Sequence, residues 1–245
     1  SYLFLLSILH NNMHIESIIY TKRSLMLKDD YISTNNSFTT PLTFIKIEGG
    51  EFIQGTKEGE YIISFDNEKP QFKTVIKPFL MSNILVTNEI YLKFIDEYGY
   101  YNKKYWCEEG WNFIQTYNIK APLYWEYIDF QWYINMTDDI CNYKNINLNE
   151  PVCHISWYEA KAVAKWLGCR LPTEAEWEYV ATNNGTTKLP WGNIMKTEYC
   201  NFNYSGNLSN VNTYLGGSTK HGIQQMIGNV WEWCEDSIYP YDGYC

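Results

Sequence analysis

A chain of 245 residues, 45% apolar and 19% charged, has enough apolar side chain for the buried core of one large or two small domains. Its formal charge of −9, with no basic run, argues against a nucleic-acid partner, and ten Trp with 22 Tyr set it apart from an average globular composition. Seven cysteines, an odd count with no CxxC pair, read as reduced thiols of a cytoplasmic protein. The opening SYLFLLSILH has no basic n-region and no small-residue cleavage site, and its apolar run is too short to span a bilayer. A start in mid-helix and an end at YPYDGYC read as a chain cut at both ends, with no membrane partner expected.

Residues 1–27 predict one helix, with Leu3, Phe4, Ile8, Met13, Ile15 and Ile18 among the apolar residues around two histidines. KDDYISTNNSFTTP (28–41), polar and closed by Pro41, predicts a linker to a second domain over 42–245. TFIKIEGGEFIQGT predicts a short hairpin-like unit broken at Gly49-Gly50, and FKTVIKPFLMS (72–82) a strand interrupted at Pro78. Three further helices carry start signals. Thr87 is placed as the N-cap of one running towards Gly99. Ser156 with Glu159 fits a capping box for a second ending at Gly168, and Thr173 with Glu176 repeats the device after Pro172. Beyond about 183 the chain is rich in Gly, Asn and aromatic residues, so side-chain packing is expected there more than long strand ladders.

His10 and His14 lie four apart, one above the other on a helix face, so one helix can offer two imidazoles to a single metal ion. A solvated or simply hydrogen-bonded pair is the plainer alternative. The apolar surroundings point both rings towards an interior, where an unpaired polar group is costly. Asn11 stands where an HExxH zinc protease needs its glutamate, which excludes that hydrolase. Glu16 falls about 200° around the helix from His14, which suits a supporting or helix-packing role better than a third ligand. A redox-active iron wants three protein ligands and open positions. His154 and His221 are candidates for the third, although each reads more simply as an ordinary polar residue.

PVCHISWYEAKAVAKWLGCRLPTEAEWEYVA (151–181) and GIQQMIGNVWEWCEDSIYPYDGY (222–244) resemble the formylglycine-generating-enzyme, or sulfatase-modifying-factor, domain. RLPTEAEWE and GNVWEW are among its most recognisable segments, and IEGGEFIQGT with NEKPQFKTVIKPFLMSNILVTNEIYLKFI resembles its start, so the resemblance covers 42–245. It implies an α+β, C-type-lectin-like fold of short strands, two principal helices and much irregular chain. His10-x3-His14-x-Glu16 ahead of such a domain resembles the last helix of a DinB-like four-helix bundle. That pairing is typical of the iron-dependent sulfoxide synthases of ergothioneine and ovothiol biosynthesis, and GYYNKKYWCEEGWNF and APLYWE resemble segments of that subfamily.

The resemblance implies that His10 and His14 are two of three histidine ligands of Fe(II), the third coming from an earlier bundle helix. It implies O2 as co-substrate and a cysteine or γ-glutamylcysteine thiol joined to an imidazole carbon of histidine or trimethylhistidine, leaving a sulfoxide. A proton-donating tyrosine of the second domain belongs to the pattern. Tyr244 is the candidate, while Tyr239 and Tyr241 could equally be aromatic packing. Met13 stands where ergothioneine-type enzymes often carry Gln, which leans towards the ovothiol type, whereas the second domain leans the other way. Two other functions compete: a formylglycine-generating oxidase of sulfatases, which leaves His10 and His14 idle, and a non-catalytic lectin-like binding module.

Overall fold

The computed structural model describes residues 2–24, 40–57, 59–60, 64–135, 143–202 and 207–241, with side-chain surroundings in the first helix up to Ile18. Helix α1 spans Tyr2–Ser24. The linker expected over 28–41 lies, except for its last two residues, outside the described residues. Among those described, no helix is long and apolar enough to cross a membrane.

After residue 40 the chain opens with a long antiparallel hairpin in two arms. β1 (Phe44–Ile47) pairs with β4 (Phe79–Ser82), and β2 (Gly50–Gln54) pairs with β3 (Phe72–Ile76). The hairpin expected within 43–56 is therefore corrected: its two strands pair with residues 72–82 and not with each other. Both arms keep one register, Ile47 opposite Phe79 and Gly50 opposite Ile76. Between them Pro78 has no N–H to give to the ladder. Gly49 turns the other strand at φ +73°, where a Cβ would lie 2.2 Å from the Ile76 carbonyl oxygen.

Next come α2 (Asn88–Asp96), α3 (Glu108–Thr116) and a three-stranded sheet of β5 (Trp125–Ile128), β6 (Gln131–Ile134) and β7 (Lys144–Asn145). The last helices are α4 (Trp157–Trp166) and α5 (Glu174–Ala181), after which the described chain holds only short 3-10 turns. The domain is thus α+β, but with four helices of eight to ten residues where two principal ones were expected. Helix α3 carried no start signal because its N-cap is Cys107, whose sulfur accepts from the Gly110 N–H at 3.3 Å in place of the usual oxygen. The other caps form as expected: Thr87 Oγ1 accepts from Ile90, and both capping boxes close.

Two apolar clusters hold the domain. One lies under the hairpin and α5 and gathers Ile47, Phe52, Ile76, Tyr179, Val180 and Ile223. The other joins α2, α3, α4 and β5 around Tyr91, Phe94, Trp106, Ile114, Trp125 and Val163. Within the second, Tyr100 donates to Glu159 Oε1 at 2.5 Å and shares a 2.7 Å hydrogen bond with the Tyr91 hydroxyl. Burial raises the Glu159 carboxyl, while donors from Tyr100 and Ser156 pull it partly back.

Candidate functional site

Helix geometry brings the expected histidine pair together. The Nε2 atoms of His10 and His14 are 2.9 Å apart, with ring centroids 4.5 Å apart and planes near perpendicular. Two ligands of one metal ion, each about 2.1 Å from it and at right angles, are about 3 Å apart, so this donor set fits two neighbouring positions of an octahedral centre. Among the described residues, no group of three His, Cys, Asp or Glu is placed to hold a metal, so a third donor is not added to the pair. In this chain His10 and His14 are exposed, as are Leu3, Phe4 and Ile18 on the same helix. Among the described contacts of α1 with the rest of the chain, the Tyr2 hydroxyl donates to the Ser64 carbonyl at 3.3 Å, and Glu16 Oε1 accepts the Trp231 indole N–H at 2.8 Å.

Trp231 belongs to GNVWEW, a segment without regular structure that side-chain bonds stitch onto the starts of α4 and α5. Trp233 Nε1 donates to the Ile155 carbonyl (3.1 Å), and Trp157 Nε1 donates to that of Cys234 (2.8 Å). The Glu235 N–H donates to the Pro172 carbonyl (2.8 Å), and Asp236 Oδ2 accepts the Glu174 N–H (2.6 Å) at the α5 N-terminus, where a carboxylate is favoured. Arg170 clamps the capping box from outside with two bonds to Glu176, of 2.7 and 2.6 Å.

These bonds frame a cleft of about 420 Å3, lined among others by Trp157, Glu174, Trp233, Cys234, Asp236 and Tyr241. The Tyr241 hydroxyl donates to Glu174 Oε1 at 2.6 Å, and its ring packs edge-on against Phe72. Burial first, then the neighbouring Glu174, push the Tyr241 phenol up. Burial also pushes Glu178 up to about 7, against the pull of the Gly55 N–H 3.1 Å from its Oε1. Glu232 is pushed to about 7 by burial too, partly offset by the nearby Trp177 indole, whose N–H meets no acceptor at hydrogen-bonding geometry among the described residues.

Residues 30–244 match the family described as the sulfatase-modifying factor enzyme 1-like domain. This chain belongs to that family. Over 98% of its length it is 29% identical to hercynine oxygenase from Mycolicibacterium smegmatis, covering 57% of that protein. It is 32% identical to hercynine oxygenase from Mycobacterium tuberculosis over 79% of its length, covering 46% of that protein. A formylglycine-generating enzyme from Streptomyces coelicolor is 29% identical over 80% of this chain and 69% of that one. The chain therefore spans about half the length of the hercynine oxygenases it resembles. PvdO from Pseudomonas aeruginosa shares the fold with a TM-score of 0.53 over 80% of this chain and 71% of that one, at 20% identity.

Within this sulfatase-modifying-factor domain, the other expected residues stay apart from the histidine pair. The His154 ring packs edge-on against Tyr124, its backbone at φ +58°. His221 Nε2 lies 3.3 Å from Asn184 Oδ1, and burial followed by Lys220 lowers its imidazole. Tyr244 lies outside the described residues, while Tyr239 and Tyr241 both line the cleft. Sequence reasoning missed the cleft carboxylates Glu174 and Asp236 and the hydrogen bond that Tyr241 makes to Glu174. Asp236 and Tyr241 lie 62 and 67 residues from Glu174, which read only as part of a helix start.

Proposed function

We propose that this chain is part of an iron(II)- and O2-dependent cytoplasmic sulfoxide synthase. The reaction joins the sulfur of cysteine or γ-glutamylcysteine to an imidazole carbon of trimethylhistidine, or of histidine in the ovothiol-type variant. The observation that carries this reading is the 2.9 Å spacing of the His10 and His14 nitrogens, on a helix that Glu16 ties to Trp231 of GNVWEW. The hercynine oxygenases among its relatives support it. In this reading α1 is the last helix of a DinB-like bundle, His10 and His14 are two iron ligands, and a third histidine comes from another helix of that bundle.

Iron, when bound, supplies the redox chemistry between O2 and a thiolate. The chain's own residues hold and orient. The His10 and His14 imidazoles would be the ligands that α1 offers to the iron. Glu16 and Trp231 keep the histidine helix against the domain, so that thiol and imidazole meet in one place. Tyr244 gives the proton that the reaction needs.

Anaerobic titration of the full-length protein with Fe(II) tests the ligand assignment. The wild type should take up iron and the His10→Ala/His14→Ala double variant should not; equal uptake in both overturns it. Mass spectrometry after incubation of iron-loaded protein with O2, each thiol and each imidazole should show a sulfoxide adduct. No adduct with any pairing sinks the reaction, and formylglycine formed on a sulfatase peptide would replace it.

A further inference from the structure

Residues 236–240 are all exposed, and Tyr241 is the first residue after Glu235 to regain cover. Glu174, the first residue of α5, holds both ends of this stretch. Its backbone N–H, one of the orphan donors of a helix start, goes to Asp236 Oδ2 at 2.6 Å. Its Oε1 accepts from the Tyr241 hydroxyl, also at 2.6 Å. A short exposed loop is thus closed on a single residue.

Tyr241 also meets the hairpin. Its ring centroid lies 4.8 Å from that of Phe72 on β3, and Gln54 Nε2 at the end of β2 donates to its hydroxyl at 3.4 Å. Gly55, at φ +78°, leaves room for the ring, since a Cβ there would come within 3.1 Å of it. The Gly55 N–H in turn donates to Glu178, one turn after Glu174 on α5. The Tyr241 hydroxyl therefore joins β2 to α5. Upstream, Trp231 is bonded to Glu16 and Trp233 to the Ile155 carbonyl. Tyr244 follows Tyr241 by three residues. Three residues of chain reach about 11 Å when fully extended, so whatever holds Tyr241 bounds the place of Tyr244.

We propose that Glu174 and Tyr241 are positioning residues for the proposed reaction, fastening the chain that runs on to Tyr244 so that its hydroxyl is delivered to one place. This rests on the reading of Tyr244 as the proton donor.

The first test needs no iron. Limited thermolysin cleavage of the full-length protein at the Ser237–Ile238 bond, inside the closed loop, reports how often the loop opens. Tyr241→Phe, which keeps the ring and loses the hydroxyl, should speed that cleavage about fivefold or more, as should Glu174→Ala. Glu174→Gln, which keeps an acceptor oxygen, should speed it by less than half as much. Unchanged cleavage in Tyr241→Phe and Glu174→Ala overturns the proposal whatever the reaction. The second test uses iron-loaded protein with O2, thiol and imidazole. Tyr241→Phe should lower kcat about threefold or more with KM unchanged, and should lower it no further in a Tyr244→Phe background. An equal loss in both backgrounds, or reduced Fe(II) uptake by Tyr241→Phe, overturns the action through Tyr244. Absence of any adduct from wild type sinks the reaction and the positioning role with it. Wild-type turnover with cleavage unchanged in the variants sinks this proposal alone.

Discussion

Helix α1 is the longest element and the least covered, with Leu3 74% and Phe4 68% exposed, whereas α2, of nine residues, buries Tyr91 and Phe94 completely. The difference lies in how apolar residues are arranged around each cylinder. On α2 the polar residues collect on one face, where Lys93 and Glu89 pair at 2.9 Å, and the opposite face enters a ring of aromatics. On α1 apolar residues lie all round and no face is assigned to the domain. The apolar core is therefore built around the small helices, while the metal-ligand candidates stand on an element that, among the described residues, is held at Tyr2 and Glu16. Stability and metal uptake should respond to different residues.

The largest expected effect tests the covered side of that contrast. Phe94 packs against Tyr91, Tyr100, Trp106 and Trp166, and a Cβ on Gly99 would lie 2.2 Å from its ring. Phe94→Ala should cost about 3–5 kcal/mol, through lost burial and the cavity left behind. Denaturant unfolding followed by tryptophan fluorescence measures it, and a cost under about 1 kcal/mol would show that this cluster is not what holds the domain.

Glu178 sharpens the same contrast through pH. Its folded value of about 7 lies above the ordinary 4.5, chiefly because it is buried, so the folded chain holds the extra proton between those values. The penalty for burying its charge is absent below about pH 4.5, grows as pH rises through the window, and is complete above about pH 7. It amounts to about 3 kcal/mol. Glu178→Gln, which can still accept from Gly55, should flatten the fall in stability across that window. Parallel curves for wild type and variant would assign the ionisation to another group.

Thr173→Ala removes the oxygen that accepts from Glu176 N at 3.1 Å and should cost about 1 kcal/mol. An unchanged unfolding midpoint would mean that Arg170 and Glu176 hold the turn without it. This cap was legible in the sequence because its partners are three residues apart, and the same is true of Ser156 with Glu159. The pairing of β1 with β4 and β2 with β3 was not, since the local pattern of TFIKIEGGEFIQGT suits a hairpin on its own and only the fold supplies residues 72–82 as partner. Chain distance also hid the hydrogen bond of Tyr100 to Glu159, 59 residues away, and the meeting of Tyr241 with Glu174. The histidine pair was legible because four-residue spacing alone brings two rings together on a helix. Its surroundings were not, because an apolar sequence names no particular neighbour.

The smallest stability effect belongs to the residues with the largest proposed role. His10 and His14 are exposed and hydrogen-bond each other, so replacing both with alanine removes one solvent-facing contact and adds two strong helix formers. The metal-free midpoint of domain unfolding should move by less than about 0.5 kcal/mol. A larger loss would mean that α1 is built into the domain more firmly than the Glu16 and Tyr2 contacts provide, and the contrast between the two helices would then fail. The same variant measured with ferrous ion gives the opposite sign. A ligand that binds only the folded helix stabilises it by about 2.7 kcal/mol at a hundredfold excess over its Kd, and only the chain that keeps both imidazoles can gain that increment.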